Sequence, residues 1–184
     1  LLVLTAAVVS AVILSAALSA ARRVNGDRTA QQNYLAVSSA AELVRDSIDQ
    51  MRYTETTTTT YERDEKSEDY VQTGSSSTEK LPTGLMGDWL TDGARNGGCT
   101  DTITITLPDE ALPPVKASFS MTGRGTGSGG YDIRIAFSLA NAGDADDCRM
   151  TLRLSGSVSE STDVYVNPTG ESRTDKLTIT WGNP

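Results

Sequence analysis

The first 52 residues contain no proline and a single glycine, Gly26, and none of Leu1 to Ala21 is charged. Alanine, leucine, valine and arginine dominate this stretch, and all are tolerated or favoured in helices. A helix is therefore the natural conformation. Leu1 to Ala21 would measure about 31 Å along its axis. That is the thickness of a bilayer's hydrocarbon core. The run ends on Arg22 and Arg23.

Beyond Gly26 the pattern changes from uniformly apolar to striped. Tyr34, Val37, Ala41, Val44, Ile48 and Met51 recur at spacings of three and four, so they line one helix face and seek a partner surface. The opposite face carries Gln31, Gln32, Asn33, Ser39, Glu42, Arg45, Asp46, Asp49 and Arg52. Glu42 and Asp46 are like charges four residues apart, mildly unfavourable, whereas Arg45 and Asp49 can pair at that spacing. One helix over residues 1–52 would be near 78 Å long. A compact chain of 184 residues needs nothing so long, so half of it is expected to project.

The net charge is −8. Residues 1–52 hold five basic and four acidic side chains, so the acidity belongs to the remainder. No basic face stands out in sequence, and no nucleic-acid partner is expected. The chain has no histidine, which removes the commonest general base and a common metal ligand.

Residues 53–98 form a second compositional zone. YTETTTTTYERDEKSEDYVQTGSSSTEK is rich in threonine, serine and acid. The threonine run has β propensity, so Tyr53–Glu62 and Asp69–Thr73 can form a hairpin around DEKS. A flexible or O-glycosylated stalk is the alternative. LPTG at residues 81–84 has no hydrophobic tail and basic end after it, so it is not a sorting signal.

Residues 99–184 alternate in twos. Ile103, Ile105 and Leu107 are interleaved with threonines. Ala117, Phe119 and Met121 alternate with polar residues, as do Tyr131 to Leu139, Met150 to Leu154 and Leu177 to Trp181. Five such segments, with a short sixth at Val164–Val166, predict an antiparallel sheet wetted on one side. The expected class is α+β: a long N-terminal helix whose C-terminal half lies on a twisted antiparallel sheet.

Two cysteines, Cys99 and Cys148, follow an export-like N-terminus. Their even number suggests a disulfide, closing a loop of about 50 residues for roughly 4 kcal/mol. Two separate buried thiols are the other reading. Asn141, Asp144, Asp146 and Asp147 offer oxygen ligands, but their spacing does not match a calcium loop, and a solvated turn suits them better. RGTGSGG, at Arg124–Gly130, has no following helix and no phosphate-binding lysine, and reads as a hairpin loop. No nucleophile stands beside a base. No enzymatic activity, cofactor or metal is expected.

The stretch NYLAVSSAAELVRDSI, at residues 33–48, is similar to the Y-x-A-x-x-A-A-E segment of pilin-like proteins of Gram-positive bacteria. With the apolar helix before it and the sheet after it, the chain resembles a type IV pilin or pilin-like protein. The resemblance implies removal of a short basic leader by a peptidase, so that the mature chain starts at the apolar helix. Two departures stand out. The family carries a glutamate near the mature start, where this chain has Thr5, and a helix-breaking proline, where this chain has only Gly26.

The function this implies is a structural subunit of a type IV pilus-like extracellular filament, stored in the membrane before assembly. Copies of the chain would be its partners, with the pilus assembly machinery implied by the resemblance. Leu1, Leu2, Val3, Leu4, Thr5, Val8, Val9, Val12, Ile13, Leu14 and Leu18 would form the filament core. Arg22, Arg23 and Arg28 would lie in or beside the helix bundle, where burying them unpaired is costly. They are expected to pair with Asp27, Glu42, Asp46 or Asp49 of neighbours. The alternatives are a membrane-anchored or secreted β-domain protein that does not polymerise, or a minor or tip pilin.

Overall fold

The computed structural model describes residues 2–64, 69–124, 129–141 and 148–182, and for residues 2–13 it describes the backbone alone. Two helices and seven strands follow in the order α1 (Leu2–Ile48), β1 (Arg52–Arg63), β2 (Tyr70–Lys80), α2 (Gly87–Asn96), β3 (Gly98–Ile105), β4 (Val115–Gly123), β5 (Gly130–Leu139), β6 (Arg149–Asn167) and β7 (Gly170–Gly182). All seven strands form one antiparallel sheet in the order β2-β1-β7-β6-β5-β4-β3.

This corrects the α+β expectation: the chain is mostly β, with strand residues outnumbering helical ones. The reason lies in the Thr/Ser-rich zone. Its β-branched run is β1, which takes a central place by pairing with β7 on one side and β2 on the other. The sheet thereby grows well beyond the segments legible from alternation. The fourth alternating segment and the short sixth are also one strand, the 19-residue β6. The expected boundaries at 53–98 and 99–184 do not separate units, because both zones contribute strands to one sheet.

Helix α1 stops at Ile48, not near Arg52. Gln50 takes a left-handed φ of 63°, which turns the chain sharply. The new direction is fixed by β7: the Gln50 amide donates to the Trp181 carbonyl at 3.0 Å, and the Trp181 amide donates to the Met51 carbonyl at 3.1 Å. Trp181 itself is fully buried.

The last part of α1 lies against the sheet. Val37, Ala41, Val44 and Ile48 are buried there, each larger apolar side chain contributing about 1.5–3 kcal/mol. Ala36 and Ala40 are also buried, and their small side chains let the helix axis approach the strands. The other two stripe residues depart from expectation. Tyr34 is 64% exposed, because the covered stretch of α1 begins only at Ala36. Met51 is half-buried and lies beyond the helix end. The facing core comes from Val115, Phe119, Ile135, Phe137 and Ile179.

Helix α2 covers the region of β3 and β4. Its C-cap is Gly97 at a φ of 70°, a left-handed cap that glycine adopts without a Cβ penalty. Gly93 brings α2 close to the sheet, since a Cβ there would fall 1.8 Å from Cε of Met121. Trp89 stacks in a tilted arrangement on Phe119, ring centroids 5.0 Å apart.

The geometry does not favour the expected disulfide. Cys99 lies beneath α2 and donates its thiol hydrogen to the Trp89 carbonyl at 3.3 Å. It is level with Met121, Ile133 and Leu154, whereas Cys148 precedes Arg149, which is level with Ser138. The two cysteines are therefore about 20 Å apart along the strand direction, and Cα atoms more than about 7 Å apart cannot be bridged. Burial, with the carboxylates of Asp92 and Asp101, pushes the Cys99 thiol above its usual pKa.

The sheet has a covered half and a bare half. β5 starts at Gly130, opposite Ser157 of β6, and the last bond on that side joins the Val158 amide to the Gly129 carbonyl at 3.0 Å. Past it, β6, β7, β1 and β2 continue as a four-stranded wing. All nine residues from Ser159 to Asn167 are exposed, and so is all of β2.

Candidate functional site

The surface that sets this chain apart from a closed globule is the free half of α1. Every residue from Leu14 to Gln31 is exposed, about 27 Å of helix with nothing packed on it. Leu14, Leu18 and Val24 are 66%, 53% and 65% exposed. Exposed apolar groups on a rigid helix are a docking element in search of a partner. Of the expected filament-core residues, Leu14 and Leu18 are thus placed on this surface. Leu1 lies outside the described residues, as do the side chains of Leu2, Val3, Leu4, Thr5, Val8, Val9, Val12 and Ile13. Among the described residues, no helix is long and apolar enough to cross a membrane.

The cations Arg22, Arg23 and Arg28 stand on this exposed half and form no ion pair within the chain among the described residues. Of the acids expected to meet them across a subunit boundary, Asp46 is already engaged. It pairs with Arg45 at 2.9 Å, not leaving Arg45 to Asp49 as the helical spacing suggested. This neighbouring carboxylate raises the Arg45 pKa. Asp27, Glu42 and Asp49 are exposed.

At the other end of the helix a polar cluster joins three elements. Tyr53 of β1 is 2% exposed and donates its hydroxyl to Oε1 of Glu79 at 2.7 Å. Arg95 of α2 pairs with the same carboxylate through Nε and Nη2. Burial, followed by the Glu79 hydrogen bond, pushes the Tyr53 pKa up to about 12. The bonds from Arg95 and Tyr53 hold the Glu79 carboxyl below its usual range. The cluster ties α2 and β2 to β1, and Tyr53 faces the core, so its role is structural.

Sequence reading missed one feature of the opposite sheet face. Strand register collects Lys116, Arg134, Arg149 and Arg153 on the side away from α1, with Arg134 directly opposite Arg153. Like charges so placed are mildly destabilising. Beside Arg134 lies a shallow depression lined by Thr100, Asp101, Thr102, Ser118, Phe119, Ser120 and Ala136. Alternation plus register carried this signal, whereas counting charge along the chain did not.

No group of three or more metal-ligating side chains occurs among the described residues. Asp144, Asp146 and Asp147, the weighed calcium ligands, lie outside them, as do four residues of RGTGSGG. Comparison of the sequence with protein-family models gives no match, and comparison with curated proteins gives none either.

Proposed function

We propose that this chain is a non-enzymatic structural subunit that polymerises through its N-terminal helix into a pilus-like extracellular filament, and is held in the membrane before assembly. One observation carries this reading: α1 is a single 47-residue helix covered near its C-terminal end and exposed from Leu14 to Gln31, where Leu14, Leu18 and Val24 are bare. Helices of this kind from many copies can bury one another, leaving the β-rich part outside. Contacts between different patches that do not close on themselves generate a helical polymer. The resemblance of residues 33–48 to pilin-like proteins points the same way. Arg22, Arg23 and Arg28 then find Asp27, Glu42 or Asp49 of adjacent copies, since an unpaired cation in the bundle is costly.

The test is negative-stain microscopy of material sheared from the cell surface, with N-terminal sequencing of its subunit. Thin filaments built of this chain and retaining its apolar helix are expected. Finding the chain only in the membrane fraction, or secreted without that helix, overturns the reading. In a filament reconstruction, all three guanidinium groups farther than about 6 Å from any carboxylate would refute the proposed pairing.

A further inference from the structure

The bare wing has two open edges, and they match. Thr54 pairs with Lys80 on one side and Thr178 on the other, and Thr178 pairs with Ser159. At the other end, Glu62 pairs with Val71 and Gly170, and Gly170 pairs with Asn167. Val71–Lys80 and Ser159–Asn167 therefore flank the same stretch of the wing at the same height. A bulge between Thr60 and Tyr61 absorbs the one extra residue of β2. Successive antiparallel pairings make β2 run opposite to β6. A second copy set beside the first in the same orientation thus brings its β2 antiparallel to the open half of β6.

Among the described residues, both edges present long rows of unpaired amides and carbonyls. Native sheets usually blunt such rows with proline, inward charges or cover. Neither edge contains proline, Ser159–Asn167 contains no lysine or arginine, and in β2 the only basic residue is the terminal Lys80. Only slides by an even number of rungs keep facing side chains on one side of the sheet, and a slide of two places Lys80 of one copy opposite Ser161 of the next and diagonal to Asp163. The same slide sets Ser77 opposite Val164 and takes Glu160 from directly opposite Glu79.

We infer that β2 of one copy adds as a strand to the Ser159–Asn167 edge of β6 in the next, so that the wings of successive copies form one continuous antiparallel sheet. The inference takes its occupant, a second copy, from the self-assembly reading. Main-chain hydrogen bonds supply the contact, as in strand addition generally, and the diagonal Lys80–Asp163 pair, on one face of the sheet, sets the register. The two edges differ, so the contact is heterologous and leaves a free edge at each end.

The test uses the purified full-length chain in detergent, cross-linked with a short bis-maleimide. The variant carrying both Ser77→Cys and Val164→Cys is expected to give a ladder of dimers, trimers and larger species. The parent chain, with its own two cysteines, and either single variant are expected to stay monomeric under the same treatment. Far-UV circular dichroism and melting temperature matching the parent establish that the variants fold. A folded double variant that stays monomeric overturns the inference. Dimers from Ser77→Cys alone overturn it too, since they indicate β2 meeting β2. This readout needs no filament, so its failure and the absence of filaments are separate results.

Discussion

Tyr53 shows how one side chain imposes a pH limit on the fold. It is buried against the core with its hydroxyl on Glu79, and its pKa rises from 10.0 to about 12. The neutral phenol is the form the fold prefers. Its contribution is fully present below pH 10, where the unfolded chain's tyrosine is also neutral. It is lost as pH rises toward about 12, a displacement corresponding to roughly 3 kcal/mol. Urea unfolding across this window is expected to show that loss in the parent and a flatter profile in Tyr53→Phe. At neutral pH the variant is less stable by about 1–3 kcal/mol, the value of a hydrogen bond to a charged group. Glu79 works in the opposite direction: its carboxyl pKa is lowered by Arg95 and then Tyr53, so its contribution is present at neutral pH and fades as pH falls through that lowered value. Nothing in the sequence joins Tyr53, Glu79 and Arg95, because their meeting depends on β2 pairing with β1 and on α2 crossing beneath. The cysteines teach the converse. An even count suggested a bond, yet register, which composition cannot supply, puts Cys99 and Cys148 at different heights on strands three apart.

At the scale of elements, α1 divides into a packed end and a free shaft, and substitutions should report the division. Ile48→Ala opens a cavity in the core beneath fully buried Trp181 and Val44, and is expected to lower stability by about 2–5 kcal/mol in urea unfolding. Gly26→Ala touches nothing, since no atom lies within 4 Å of its ideal Cβ. It should favour helix by about 1 kcal/mol, slowing amide exchange at residues 22–30 about fivefold while leaving the unfolding midpoint of the sheet unchanged. The strands from Ile103, Ala117, Tyr131, Met150 and Leu177 were legible because each has one apolar and one polar face. The wing was legible only in part, as a possible hairpin of Tyr53–Glu62 with Asp69–Thr73 and a short strand at Val164–Val166, because β2 and the far half of β6 have no buried face and so no alternation to show their full extent. Their conformation comes from pairing with β1 and β7, a long-range cause. In α1, Val37, Ala41, Val44 and Ile48 were readable from spacing, but Ala36 and Ala40 escaped a search that weighted large side chains. Tyr34 was drawn into the stripe because periodicity does not say where the covering sheet ends.

At the scale of the whole molecule, charge and apolar surface are segregated. The shaft is apolar and arginine-bearing, and the β-rich part holds the acid excess. If the shaft is the polymerising element, Leu18→Asp should abolish filaments seen by negative stain. The melting temperature should stay within a degree or two of the parent's, since Leu18 makes no contact with the sheet and surface changes usually shift stability by less than about 0.5 kcal/mol. The order of the sheet has a further consequence, for time rather than for strength. β7, Gly170–Gly182, is the last of the described strands in sequence, yet it sits between β1 and β6 near the middle of the sheet. Until it arrives, the β1–β2 hairpin has no seam to join, and Trp181 cannot fix the turn at Gln50. Pairing Tyr53 with Ile179 closes a loop spanning most of the chain, a slow, non-local event. The hairpin must wait with both edges open until β7 is made and delivered, and that interval is when the molecule is most exposed to wrong pairing.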